Sequence, residues 1–299
     1  MGVPENMTNP MIERNPGSEL VQGSPVWTAG PFQWKLEKEA LVMAILNITP
    51  DSFSDGGLHF TPEDTFAAAR IFVEEGADIL DIGGESTRPG AAPVTLVDEL
   101  ARVIPIIKQL VTQEKVALSI DTCKPEVAKA ALQAGAHIVN DISGFRDPAM
   151  IEVCANSDCG IVVMHMQGTP QTMQKAPDYL HVIEEVRDFF DERLETLTQE
   201  GIEASRIVFD PGIGFGKTLE HNLALLNGVG NYLVQQRPIL MGLSRKSIIG
   251  SLLGDPTMCR REAPTQALTA LTRANGAMIH RVHAVRENLQ SLRMIEAIL

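Results

Sequence analysis

Eight short apolar runs recur along this chain, and a stretch with helical patterning separates each from the next. The runs cover 41–46, 77–83, 116–121, 136–141, 160–165, 206–210, 238–244 and 277–283. Their core positions are apolar with little alternation, which is the pattern of a strand buried on both faces. Helix signals occupy 61–75, 96–112, 125–134, 148–156, 178–200, 219–229, a segment from about 246, 262–275 and a last stretch to the C-terminus. In the first of these, Phe66, Ala69 and Val73 form one stripe. Thr61-Pro62-Glu63-Asp64 supplies a capping hydroxyl, a proline suited to the first turn and two acids for the positive end of the helix. Three helix-to-strand joints read Glu75-Gly76-Ala77, Ala134-Gly135-Ala136 and Asn275-Gly276-Ala277, with glycine where a helix must end in a left-handed residue. Strict β/α alternation with buried strands demands a parallel sheet with crossover helices. Eight such units in about 250 residues fit a closed (β/α)8 TIM barrel and leave no room for a second domain.

The chain before the first run divides in two. Residues 1–30 are polar and rich in Pro, Asn and Gly, and read as a disordered tail ahead of one barrel domain over 31–299. Phe32, Trp34 and Leu36 alternate with polar residues, which predicts a short strand or hairpin covering the base of the barrel. The N-terminus has neither the apolar core of a signal peptide nor an Arg-rich amphipathic pattern. No apolar run approaches the ~20 residues of a membrane helix. The four cysteines, Cys123, Cys154, Cys159 and Cys259, form no metal-ligand spacing, so free thiols in a reducing cytoplasm are expected. A net charge of −13 argues against a nucleic-acid binder, while leaving room for a small anion held by a local cluster of cations.

In a barrel of this type the C-terminal ends of the strands carry the active site. Those ends bear Asn47; Asp81; Asp121; Asn140 and Asp141; Met164 and His165; Asp210; Ser244-Arg245-Lys246; and Arg281 with His283. Along the third run, Ala117, Ser119 and Asp121 share one face and Leu118 and Ile120 the other. Small and polar residues are therefore expected on the barrel axis and branched apolar ones against the helices. A strand-end Asp often only caps the following helix, but Asp121, Asn140 and Asp210 together form a ring of amide and carboxylate groups suited to a flat, nitrogen-rich heterocycle. Cations at a helix start oppose the helix dipole at a cost of roughly a few tenths of a kcal/mol. Arg245 and Lys246 there read either as a solvated pair or as part of an anion site. Arg281 and His283 lie on the same face at the end of the last strand and suit a phosphate, whereas His165 and His280 read as structural. Gly212-Ile213-Gly214-Phe215-Gly216-Lys217-Thr218 is not a nucleotide phosphate loop, because Pro211 stands where the first glycine would be needed. It reads as a tight strand-to-helix loop.

At these residues the sequence resembles the dihydropteroate synthase family. The resemblance runs in order through NITPDSFSDGG (47–57), DIGGESTRPGA (81–91), SIDTCKP (119–125), NDISG (140–144), MHMQGTP (164–170), DPGIGFGKT (210–218), GLSRKS (242–247) and RVH (281–283). Cys123 departs from the pattern, where a smaller polar residue is usual. The family joins p-aminobenzoate to 6-hydroxymethyl-7,8-dihydropterin diphosphate and is the folate-pathway target of sulfonamides. By that resemblance Asp121, Asn140, Asp210 and Lys246 hold the pterin, and Ile142 and Met164 pack against its ring. Asn47 binds the diphosphate through Mg2+, with Arg281 and His283 beside it. Thr87 and Arg88 stand by the reacting groups, Thr87 toward the pterin diphosphate and Arg88 toward the aminobenzoate, while Pro89, Phe215, Lys246 and Ser247 shape the aminobenzoate pocket.

The implied reaction is a dissociative loss of diphosphate, assisted by Mg2+, Arg281, His283 and the helix start at Ser247, followed by attack of the neutral aniline. The loop Pro50 to Gly57 reads as a mobile lid in which Phe53 and Asp55 close over the bound diphosphate and Mg2+. Two alternatives stand beside this reading: another pterin-binding barrel such as a methyltetrahydrofolate–corrinoid methyltransferase, and a non-catalytic pterin-binding paralogue. Family analogy also implies a homodimer through the later helices.

Overall fold

The structure, a computed structural model, describes residues 25–48, 62–86, 92–170, 172–174, 176–255 and 257–299. Residues 1–24 of the tail expected over 1–30, Thr61 expected as a cap, Phe53 and Asp55 expected as a lid, and Thr87, Arg88 and Pro89 lie outside the described residues.

Two short strands open the described chain, β1 (Val26–Ala29) and β2 (Phe32–Lys35), paired antiparallel. Then follow β3 (Leu41–Asn47), α1 (Pro62–Glu74), β4 (Ile79–Gly83), α2 (Leu96–Gln113), β5 (Ala117–Asp121), α3 (Pro125–Ala134), β6 (Ile138–Asp141), α4 (Pro148–Ala155) and β7 (Gly160–Met164). The chain continues through α5 (Val182–Gln199), β8 (Ile207–Asp210), α6 (Leu219–Asn227), β9 (Leu240–Gly242), α7 (Ser247–Leu253), α8 (Glu262–Ala274), β10 (Ile279–Val282) and α9 (Val285–Glu296). The sheet order β8-β7-β6-β5-β4-β3-β10-β9 is parallel throughout. A parallel bridge between Phe209 and Ile239 closes β8 onto β9. The fold is the TIM barrel expected from the alternation. Gly76, Gly135 and Gly276 at the repeated joints all take left-handed backbone, with φ of 97°, 109° and 109°, so the spacing of those joints was a backbone requirement.

Alternation along each strand sorts the barrel into an outer and an inner layer. Val42, Leu80, Leu118, Ile120, Val139, Ile161, Val163 and Phe209 face the helices in one large apolar cluster. Met43, Ile79, Ala117, Ile138, Val162, Val208, Leu240 and Ile279 fill the axis in a second cluster, together with Trp27, Ala29 and Leu36. The expectation that the axis is lined by small and polar residues therefore holds only in its upper half. The lower half is branched and apolar because water is excluded there and side-chain volume must fill the bore.

The β1–β2 hairpin closes that lower end. Trp27 is fully buried and its indole N–H donates to the Arg206 carbonyl at 3.1 Å. The ring of Trp34 lies 5.0 Å from that of Trp27 and stacks on Phe32 at 5.6 Å. The ordered hairpin begins at Val26, several residues before the boundary expected at residue 31, because Trp27 belongs to the core. Cys154 and Cys159 are buried free thiols, whereas Cys123 is exposed at the opposite end.

Candidate active site

Above the apolar layer the inward positions change character. Asp81, Ser119, Asp121, Asn140 and Asp210 all lie on the inward face at the upper end of the barrel, Asp81 and Ser119 one layer below Asp121, and all are at least nine-tenths buried. Register explains the convergence, since Gly83 pairs with Asp121 and Asp121 with Asn140, so neighbouring strands place their polar ends side by side. Arg281 ties two of these groups together: its Nε donates to Asp81 Oδ2 at 2.5 Å and its Nη2 to Asp121 Oδ2 at 2.6 Å. Asn140 Nδ2 donates to the same Asp81 oxygen at 3.1 Å. The remaining oxygens, Asp81 Oδ1 and Asp121 Oδ1, are buried with no protein partner, as is Ser119 Oγ. Buried oxygens without partners are costly to maintain and mark a place where a ligand or water is received. Burial raises the Asp121 carboxyl to about 7, against the opposing pull of Arg281.

Asp210 and Lys246 form the second part of the site. Asp210 is buried and accepts the Gly212 N–H at 2.7 Å, and desolvation raises its pKa despite the nearby Lys246 charge. Lys246 caps the start of α7 and turns inward, where its ammonium donates to the Ile213 carbonyl and sits 4.7 Å above the Phe215 ring. Desolvation lowers Lys246 to about 8 although Asp210 opposes it. Arg245 takes the left-handed backbone that permits this, with φ of 59°, a conformation costing a non-glycine residue on the order of 1 kcal/mol. Its own side chain turns outward to Glu262, with Nε to Oε2 at 2.9 Å. The Arg-Lys pair is thus neither wholly solvated nor wholly in the site.

The loop 212–217 supports that lysine. Gly212 has φ of 65°, and a Cβ there would lie 2.0 Å from the His165 carbonyl oxygen, so only glycine fits. Lys217 is buried beneath the loop, 3.0 Å from His165 Nδ1, and donates to the carbonyls of Phe215 at 3.0 Å and Gly212 at 3.1 Å. His165 is thereby a structural residue, as its position on the strand suggested. His280, between Ile279 and Arg281 on β10, alternates to the face away from the axis and is almost fully enclosed. Ile142, Met164, Met166 and Met173 form a separate apolar cluster with Phe215 packed against it. This gives the mouth an apolar wall beside its polar groups, since Met164 pairs with Asp210 in register.

His283 stands at the rim, its Nδ1 2.9 Å from Ser244 Oγ. Ser247 is exposed at the first position of α7. Asn47 ends β3. Its amide oxygen lies 3.3 Å from the point a Cβ on Gly83 would occupy, and the Asp121 side chain lies 3.6 Å from the same point. A side chain at residue 83 would fill this cradle. Among the described residues no group of three His, Cys, Asp or Glu could hold a metal ion. The donor chemistry at Asn47 nevertheless fits Mg2+ of the kind that takes one or two protein oxygens and draws the rest from phosphate and water.

A small-molecule site of carboxylates, an amide and a lysine at the mouth of a parallel barrel defines a class of ring-binding enzyme. The chain belongs to the family described as pterin binding enzyme, which it matches over residues 43–283. Within that family it is similar to dihydropteroate synthases. It is 44% identical to the one from Escherichia coli K12 over 259 residues, 86% of this chain and 91% of that one. It superposes on the Burkholderia cenocepacia dihydropteroate synthase complexed with 7,8-dihydropteroate with a TM-score of 0.84, at 42% identity over 92% of this chain and 96% of that one. The Xanthomonas albilineans dihydropteroate synthase with 4-aminobenzoic acid gives a TM-score of 0.85, at 42% identity over 92% and 98% of the two chains.

Three features of the site escape sequence reasoning. Asp81 reads only as one more strand-end acid, although the period-two rule already places it inward with Gly83. Met166 and Met173 come from an irregular segment with no periodicity to orient them. Lys217 follows a glycine, and nothing in its neighbours signals burial.

Proposed function

We propose that this chain condenses 6-hydroxymethyl-7,8-dihydropterin diphosphate with p-aminobenzoate, giving 7,8-dihydropteroate and diphosphate. The observation that carries this reading is the convergence of the buried Asp121, Asn140 and Asp210 with the half-buried Lys246 beside the Arg281 guanidinium. The acceptors match the amino and N–H edge of a pterin, and Lys246 donates to its carbonyl side. Ile142 and Met164 pack the ring face. Arg281 and His283 receive the diphosphate, and Ser247 and Phe215 line the aminobenzoate side with Lys246.

The chemistry asks little of a base, because an aniline is neutral at pH 7. What it needs is stabilisation of charge as the carbon–oxygen bond to diphosphate breaks. Cations at the rim and the N–H groups at the start of α7 favour the departing anion, while the buried carboxylates favour the electron-poor pterin left behind. Mg2+ bound at Asn47 would add its charge to the leaving diphosphate. Exclusion of water from the buried ring protects the reactive carbon until the aniline arrives.

We further propose a cytoplasmic homodimer. Leu252, Leu253, Met258 and Leu271 are exposed on and around α7 and α8, and exposed apolar side chains there suit a two-fold contact. Light scattering is expected to give twice the chain mass. The central test is a coupled assay of diphosphate release. Release should require both substrates and Mg2+, and should stop with a chelator. Tight pterin diphosphate binding without release on adding p-aminobenzoate would overturn the activity.

A further inference from the structure

Asp81 is fully enclosed on β4 and lies one layer below the groups that meet the mouth, since it pairs with Ser119 while Gly83 pairs with Asp121. Its Oδ2 accepts from both Arg281 Nε and Asn140 Nδ2. Arg281 spans two carboxylates whose situations differ. On the activity proposed above, Asp121 is needed by the pterin edge, yet its Oδ2 is occupied by Arg281 Nη2. Asp121 Oδ1 has no protein partner, but a pterin's amino and N–H edge carries two donors and draws on both carboxylate oxygens, so it competes with the guanidinium for Oδ2. Asp81 has no such conflict, because it lies beneath the ring.

We propose that Asp81 is a positioning residue for this reaction: it holds Arg281 by Nε at the barrel axis while Asp121 passes from the guanidinium to the pterin, so that the freed Nη groups face the diphosphate. The same Asp81 oxygen fixes the Asn140 amide by its N–H, which leaves the Asn140 carbonyl for the ring. One enclosed carboxylate thus connects recognition of the heterocycle to recognition of the anion. The charges around Asp121 agree with this arrangement. It feels Arg281 from β10 and the carboxylates of Asp81 on β4, Glu99 on α2 and Asp141 on β6. Asp81 pushes its protonation upward and Arg281 pulls it downward.

The test compares two ligands, the pterin diphosphate and the bare 6-hydroxymethyl pterin, by calorimetry on wild type and Asp81→Asn. The variant is expected to lose roughly tenfold or more of the preference for the diphosphate ligand, with a smaller change for the bare pterin. The pH at which the bare pterin binds more tightly should also fall, because a carboxylate next to Asp121 has been neutralised. An unchanged preference, or an equal loss for both ligands with no shift in the pH profile, would overturn the proposal. Wild-type protein labelled with 15N-arginine supplies a second measurement that needs no folded variant. The Arg281 Nε–H signal should stay protected when bare pterin saturates the site, while its Nη signals move. Loss of Nε–H protection on binding would sink the idea. Wild type that shows no preference for the diphosphate ligand would overturn both this proposal and the activity beneath it.

Discussion

The two ends of the barrel are built from the same strands with the same alternation, and they behave oppositely. At the lower end the inward positions are Ile79, Ile138, Val162, Val208 and Ile279, sealed by Trp27 from the hairpin. At the upper end the inward positions two residues further along are Asp81, Asn140, Met164, Asp210 and Arg281. The inward groups of one end are apolar and ask for no partner; the other leaves Asp81 Oδ1, Asp121 Oδ1 and Ser119 Oγ buried without partners. The contrast separates what stabilises the fold from what acts on a substrate. Apolar burial below supplies free energy of roughly 1.5–3 kcal/mol per large side chain. The polar end costs stability and holds its geometry because the packed lower half fixes the strand register.

The comparison predicts opposite phenotypes from the two ends. Lys246→Ala or Asp210→Asn should lower kcat/KM by on the order of a thousandfold, while the far-UV spectrum stays that of wild type. Turnover near the wild-type rate by either variant would break the assignment of the upper end. Trp27→Ala should do the reverse, with a loss of about 3–5 kcal/mol in denaturant unfolding and near-normal turnover by the protein that remains folded. A large fall in kcat without loss of stability would show that the hairpin is more than a seal.

A smaller effect follows from pH. Burial raises Asp121 to about 7, above the ~4 of an unfolded aspartate. Between those values the folded chain holds a proton that the unfolded chain has released, so this group's contribution to stability falls as pH rises from about 4 to about 7. Substrate binding should run the other way and tighten as the carboxylate forms near pH 7. Asp121→Asn should flatten the stability change across that window, and a slope in chemical denaturation equal to wild type would refute it. The least change is expected at the boundary between the two halves. Ser119→Ala removes a buried hydroxyl with no partner and should leave stability within about 1 kcal/mol of wild type or raise it.

Much of the site was legible because period two sorts adjacent residues. Asn140 faces the mouth, while Asp141 faces its own turn and accepts from the Ser143 and Phe145 N–H groups at 2.7 and 2.9 Å. Arg281 faces in and His280 out. Arg245 and Lys246 also part company, but there the sequence was ambiguous, since the left-handed turn at Arg245 comes from how β9 meets α7 and not from residue type. Arg281 illustrates the other limit. Its suitability for a phosphate could be read from the Arg-Val-His pattern, but its hold on Asp81 and Asp121 spans 200 and 160 residues of chain. No local pattern encodes a contact of that separation.

The sequence by itself determined the eightfold alternation, the glycine-marked helix-to-strand joints, the inward or outward sense of most strand residues, and the family. These follow from backbone periodicity and from glycine, proline and capping chemistry, which act within a few residues. Only the tertiary structure decided that the lower axis is apolar and plugged from Val26 onward, that Lys217 is caged beneath the 212–217 loop, and that Asp81 joins Asn140 to Arg281. Those outcomes depend on how much space and water remain once eight strands close on one another, a quantity that exists only in the assembled barrel.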